Sequence, residues 1–173
     1  VSWARRCVEE TAGAVTKGLK GEELVEMGLL QEAGALAFTD GIRAVRNARV
    51  MRNALSYAQA FDALIIQHPE DPDLARHGDM NEGELATRLG LAGIPAAAEA
   101  ILLERDRRLV ELTGGRYHAA HVSTGDGLEI VRSAKATGLK ITADTAPPYF
   151  TLNELEVEDY RTFAKVSPPL RSE

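Results

Sequence analysis

Two histidines lie three residues apart in the segment 117–124, which reads Tyr-His-Ala-Ala-His-Val-Ser-Thr. A neutral imidazole can serve as a zinc ligand or as a proton carrier, so either side chain could do chemistry. The apolar residues around them predict a buried strand, and side chains on a strand alternate between its two faces. His118 and His121 therefore cannot both face one site. We predict that His121, at the carboxyl end, faces the site and that His118 faces the helix layer in a structural role.

His68 follows a second apolar run, Ala63-Leu64-Ile65-Ile66-Gln67. His68 and His121 thus come at equivalent ends of successive predicted strands. Catalytic zinc usually takes three protein ligands plus water, so two histidines alone do not make a metal site. Two interpretations stay open at this point, a metal half-site and a pair of hydrogen-bonded structural histidines. His77, in a polar loop, is predicted to be solvated.

The histidines lie in a sequence in which short apolar runs alternate with amphipathic stretches. No hairpin signal separates these segments. This rhythm predicts an α/β fold of about five strand–helix units with a parallel sheet. Two architectures fit, part of a (β/α)8 TIM-type barrel or an open doubly wound sheet, and the glycine-rich dinucleotide signature of the latter is absent. Asp40, His68, His121 and Asp144 all fall at carboxyl ends of strands, the edge where such folds bind ligands. The predicted strands are 11–16, 35–39, 63–68, 117–122 and 139–143, and the predicted helices are 22–33, 50–61, 95–112 and 125–136.

Composition and charge exclude several classes of function. The 173 residues carry a net charge of −6 and a pI near 5.3, which argues against nucleic-acid binding. The apolar runs are too short to span a membrane. Cys7 is the only cysteine, so no intrachain disulfide can form, in keeping with a cytoplasmic location. The ends carry no start or stop signal, and we expect a segment of a longer polypeptide.

Several segments, in order along the chain, resemble the dihydroorotase branch of the amidohydrolase superfamily. Allantoinase and dihydropyrimidinase fit the same segments less well. The resemblance implies a zinc-dependent (β/α)8 barrel that interconverts N-carbamoyl-L-aspartate and dihydroorotate in pyrimidine biosynthesis. It also implies that residues 1–173 form a single, incomplete barrel domain containing strands three to seven. The matching segments are 16–19 (Thr-Lys-Gly-Leu), 37–40 (Ala-Phe-Thr-Asp), 68–71 (His-Pro-Glu-Asp), 80–84 (Met-Asn-Glu-Gly-Glu), 93–96 (Gly-Ile-Pro-Ala), 121–124 (His-Val-Ser-Thr) and 168–173 (Pro-Pro-Leu-Arg-Ser-Glu).

By this resemblance, His68 and His121 match the metal-binding histidines of the fifth and sixth barrel strands, where one or two zinc ions bind. Many relatives carry two aspartates after the fourth strand, and Gly41 stands where the second would be. Asp40, one residue earlier, is the candidate replacement, unless strand alternation turns it elsewhere. Asp144 begins a segment similar to the family's Asp-His-Ala-Pro-His, but it follows the His121 strand directly. We therefore place it on the seventh strand, as a false match.

The family's first-strand His-x-His pair has no counterpart in this sequence, and the family's catalytic carboxylate on the last strand lies outside it. We accordingly predict that the segment alone is inactive, and that its open sheet edges self-associate as a homo-oligomer or pair with missing strands. The rival hypothesis is a noncatalytic dihydroorotase-like chain that serves as a structural partner of aspartate transcarbamoylase. The residue Gly41 favours this rival, whereas His68 and His121 favour the enzyme.

Overall fold

The computed structural model describes residues 11–173, and its centre is a parallel sheet of five strands. In their order across the sheet, the strands are β1 (Ala12–Gly13), β2 (Ala37–Thr39), β3 (Leu64–Gln67), β6 (Arg116–Ala119) and β7 (Ile141–Ala143), and every neighbouring pair is parallel. This confirms the predicted α/β class and the count of five units.

Helices connect consecutive strands of the sheet, and the three longest pack side by side. The ends of these helices have clear local causes. The Asn47 side chain accepts hydrogen bonds from the backbone N–H groups of residues 49 and 50, and Thr124 caps the helix over 125–136 in the same way. Glu104 and Arg108, four residues apart on the helix over 97–113, form an ion pair at 2.9 Å. The α-helices are α1 (Met27–Glu32), α2 (Ala48–Gln59), α3 (Glu84–Leu89), α4 (Ala97–Thr113), α5 (Gly125–Ala136) and α6 (Pro148–Thr151).

The hydrophobic core lies between one face of the sheet and helices α2, α4 and α5. Phe38, Ile65, Tyr117 and Ile141 stand in register across four strands, and all are buried on this face. Because side chains alternate, the residues between them point to the opposite face, which we call the inner face. His118 lies on that inner face, so the prediction that it faces the helix layer is wrong.

One polar cluster is buried on the helix side of the sheet. The Asp106 carboxylate accepts hydrogen bonds from Arg105, Gln67 and the Tyr117 hydroxyl, the last at 2.8 Å. Complete burial raises the pKa of Asp106 to about 6, although Arg105 and the hydrogen bonds oppose the rise. The cluster connects α4 to strands β3 and β6, and it therefore supports the strands that precede His68 and His121.

A second, two-stranded sheet was not predicted from the sequence. It pairs β4 (Met80–Asn81) with β5 (Gly93–Ile94) and is packed beside α3. Each strand has only two residues, too few to show a periodicity in the sequence. This small sheet places residues 80–84 and 93–96 next to one another.

No helix within residues 11–173 has the length and apolar character needed to cross a membrane.

Candidate metal site at the carboxyl edge of the sheet

His68 is the first residue after β3 and is 2% exposed. Neither of its ring nitrogens has a hydrogen-bond partner, and Oε1 of Glu70 is buried and unpaired as well. The nearest approach between these two side chains is 3.6 Å, from Nε2 of His68 to Oε2 of Glu70. Buried polar atoms are nearly always paired, so this concentration of unpaired donors and acceptors has the character of a binding site.

His121 lies two residues beyond the end of β6, and its ring is 5.7 Å from that of His68, centroid to centroid. Its backbone is left-handed, with φ of 61°. For a residue other than glycine this conformation costs about 1 kcal/mol. The strand was expected to run to Val122, but it ends at Ala119, so strict alternation does not apply to His121. The turn, rather than strand alternation, places the His121 ring beside that of His68.

His118 and His121 both contact Asp144, the first residue after β7. One carboxylate oxygen of Asp144 lies 2.9 Å from Nε2 of His118, and the other accepts the backbone N–H of His121 at 2.6 Å. Nδ1 of His118 lies 2.7 Å from the Thr142 hydroxyl. Partial burial disfavours the charge on Asp144, but the bonds to His118 and His121 outweigh it and lower the pKa of Asp144. The placement of Asp144 on the strand after β6 is as predicted.

Asp40 has a different set of partners from the one expected of a metal ligand. It is buried after β2, and one of its oxygens accepts the backbone N–H groups of Val15 and Thr16, both at 2.9 Å. The other oxygen accepts the Thr16 hydroxyl. Through these hydrogen bonds, Asp40 connects the residues after β1 to the end of β2. The next residue, Gly41, is left-handed with φ of 68°, and open space surrounds the position of a Cβ there.

Taken together, His68 and His121 fit half of a zinc ligand set. His68 is buried with both ring nitrogens unpaired, and the His121 ring lies beside it. Imidazole nitrogens are among the ligands that zinc prefers. Within the described part of the chain, no group of three or more histidine, cysteine, aspartate or glutamate side chains is arranged to hold a metal ion. The structure therefore does not join Asp40 to the two histidines.

The loop that follows His121 is held by a buried carboxylate that the sequence analysis missed. Glu99, on α4, is 1% exposed and accepts four hydrogen bonds. These come from the backbone N–H and the hydroxyl of both Ser123 and Thr124, at 2.6 to 3.0 Å. The segment 121–124 stood out in the sequence, whereas its acidic partner, 24 residues before Ser123, gave no signal.

Arg171 connects this loop to the small sheet. Its guanidinium donates to the Ser123 hydroxyl, to Oδ1 of Asn81 and to the carbonyl of Ile94, each at 3.1 Å. Burial lowers the pKa of Arg171, against the opposing effect of nearby carboxylates. Its Nη2 atom is buried without a partner. The segment 168–173 thus contacts the loop after β6, a long-range contact that only the fold creates.

Comparisons of sequence and of structure show which known proteins this chain resembles. A family model described as Dihydro-orotase-like matches residues 2–127. The dihydroorotase of Desulforapulum autotrophicum is 51% identical over 161 residues, which are 93% of this chain and 38% of that protein. That of Syntrophotalea carbinolica is 52% identical over 160 residues, 92% of this chain and 38% of the relative. The chain thus spans a little over a third of the length of these relatives.

Solved structures share the fold at lower identity. L-hydantoinase (dihydropyrimidinase) from Arthrobacter aurescens superposes with a TM-score of 0.74 at 22% identity, over 93% of this chain and 37% of that one. Dihydropyrimidinase from Brevibacillus agri gives a TM-score of 0.67 at 22% identity, over 84% and 34%. The predicted fold, part of a (β/α)8 barrel, is confirmed. With the family model covering most of its length and half of its residues identical to curated dihydroorotases, the chain belongs to the dihydroorotase-like family.

Proposed function

We propose that the protein is a zinc-dependent dihydroorotase, which reversibly cyclises N-carbamoyl-L-aspartate to dihydroorotate in cytoplasmic pyrimidine biosynthesis. The observation that carries the proposal is the pair of facing imidazoles, one of them buried with both nitrogens unpaired. The relatives at about 50% identity are dihydroorotases, which favours this substrate over those of allantoinase or dihydropyrimidinase. The hydantoinase structures, at 20–23% identity, bear on the fold alone.

In this proposal His68 and His121 are zinc ligands, and the remaining ligands and the catalytic carboxylate come from barrel strands outside residues 11–173. When bound, zinc polarises the amide carbonyl and makes water a nucleophile near neutral pH. The burial of His68 limits the access of water to its imidazole, and the His121 ring, which follows a left-handed turn, lies 5.7 Å from it. Glu70, beside His68, is suited to orient that ring.

The test is zinc content by mass spectrometry on the full chain, by which we mean the polypeptide that includes the remaining barrel strands, purified without chelators, together with dihydroorotate ring opening. The variants are His68→Ala and His121→Ala, with His77→Ala as a matched control because His77 is exposed and outside the site. We expect roughly one zinc ion or more per chain in the wild type. Zinc and activity should be lost in the first two variants and kept in the control. Zinc content unaffected by both site variants would refute the proposed ligands.

One observation favours the noncatalytic alternative, a structural partner of aspartate transcarbamoylase. Gly41 replaces the expected aspartate, and Asp40 is bonded to Val15 and Thr16 instead. This alternative predicts no zinc, no ring opening and normal folding of both histidine variants. It also predicts co-elution of the full chain with aspartate transcarbamoylase in size-exclusion chromatography.

A further inference from the structure

We propose that Asp144 is a positioning residue that holds His121 in its left-handed turn, so that the His121 ring faces His68. The inference rests on the proposed function of His121 as a zinc ligand. It assigns a role to a residue that resembles a metal ligand but contacts the backbone of His121 instead. The sequence offered Asp144 only as a false match to the family's last-strand aspartate.

The first support is the number of bonds that Asp144 makes to the turn. Its side chain accepts the backbone N–H of His121 at 2.6 Å. Its own backbone N–H donates to the Ala119 carbonyl at 3.1 Å, and its carbonyl accepts the Val122 N–H at 2.9 Å. Asp144 therefore spans the whole turn from the last residue of β6 to the residue after His121. A backbone conformation that is unfavourable for histidine persists only where surrounding contacts hold it in place.

The second support is the way the carboxylate itself is fixed. Its other oxygen lies 2.9 Å from Nε2 of His118, and Nδ1 of His118 lies 2.7 Å from the Thr142 hydroxyl. Thr142 and His118 are register partners in β7 and β6. The chain of contacts thus ties the carboxylate to two paired strands, and His118 acquires a role: it orients Asp144.

The competing explanation is that Asp144 only stabilises a surface turn, without consequence for the histidine ring. Asp144 is about half exposed, with 49% of its side chain accessible, so the fold should survive its replacement. Zinc affinity separates the two explanations, because a residue that only stabilises the turn would leave the affinity unchanged once the protein is folded.

The experiment measures zinc affinity of the full chain by competition with a chromophoric chelator, for the wild type, Asp144→Ala, Asp144→Asn and Glu129→Ala. Asparagine keeps an oxygen for the His121 N–H, and its NH₂ can donate to His118 in the other tautomer. Glu129 is exposed and serves as the charge-matched control. We expect zinc affinity to fall by at least about tenfold in Asp144→Ala, a typical loss when a ligand's support is removed. Asp144→Asn should stay within about threefold of the wild type, and Glu129→Ala should be unchanged.

A second readout is independent of zinc and of activity. In proteins labelled with ¹⁵N-histidine, the amide resonance of His121 should move in Asp144→Ala and return close to its original position in Asp144→Asn. Wild-type zinc affinity in a folded Asp144→Ala variant would overturn the inference. If Asp144→Ala does not fold, Asp144→Ser takes its place with the same expectations.

Failure of the proposed function has a different signature. A wild-type chain that binds no zinc, or a His121→Ala variant that binds it normally, refutes the role of His121 as a ligand. In that case the amide resonance alone decides whether Asp144 holds the turn. A shift in Asp144→Ala that Asp144→Asn reverses supports the positioning role, and an unmoved resonance overturns it.

Discussion

The substitution Glu99→Gln tests whether the loop behind His121 depends on a single buried carboxylate. Glutamine keeps one acceptor oxygen, which can still serve the Thr124 N–H and hydroxyl. The NH₂ group of glutamine then faces the Ser123 backbone N–H. Because both groups are hydrogen-bond donors, that N–H is left without a partner. An unsatisfied buried donor costs about 1–3 kcal/mol, and the bonds that remain no longer go to a charged acceptor. We therefore expect a loss of about 3 kcal/mol in the free energy of unfolding.

The assay is urea denaturation of the full chain, followed by circular dichroism. For a denaturant slope of about 2 kcal/mol per molar, the expected loss moves the midpoint down by roughly 1.5 M. The control is Glu111→Gln on the same helix, whose side chain is 54% exposed. Its free energy of unfolding should change by less than about 0.5 kcal/mol. A Glu99→Gln variant as stable as the control would refute the reasoning, because it would mean that the four bonds to Ser123 and Thr124 add nothing to stability.

Three further outcomes are expected. Asp106 holds its proton up to about pH 6 when folded and releases it near 3.8 when unfolded, so stability should fall as pH rises between these values. The fall should amount to roughly 3 kcal/mol in urea titrations of metal-free protein, and Asp106→Asn should abolish it. Gly41→Asp should lower the free energy of unfolding by about 1 kcal/mol, because aspartate tolerates the left-handed region only moderately. The same substitution should raise the zinc content, and an unchanged zinc content would contradict the assignment of position 41 to the site. Arg171→Met should lower the free energy of unfolding by about 2 kcal/mol, against little change in the exposed control Arg132→Met.

The sequence by itself determined the order and type of the main elements. Apolar runs of four to six residues, separated by amphipathic stretches, were enough to predict five strands and a parallel sheet. Helix α5 begins and ends where its pattern predicted, because Thr124 and the glycine after the helix provide local signals. His68 and His121 could be selected as candidates because the carboxyl ends of parallel strands share one edge, whatever the details of the fold.

Only the tertiary structure decided which atoms those residues contact. Strand β6 ends at Ala119 and pairs with β7, which lies more than twenty residues later along the chain. His118 lies on the face opposite Tyr117, because Tyr117 packs in the core. Glu99 and Arg171 reach the loop after His121 from elements far along the chain, so no local pattern could connect them. Asp40 has the sequence position of a candidate ligand, but its carboxylate accepts hydrogen bonds from the backbone N–H groups after β1. The sequence could predict which residues lie at the edge of the sheet, whereas long-range hydrogen bonds decide which of them remain free to bind a metal.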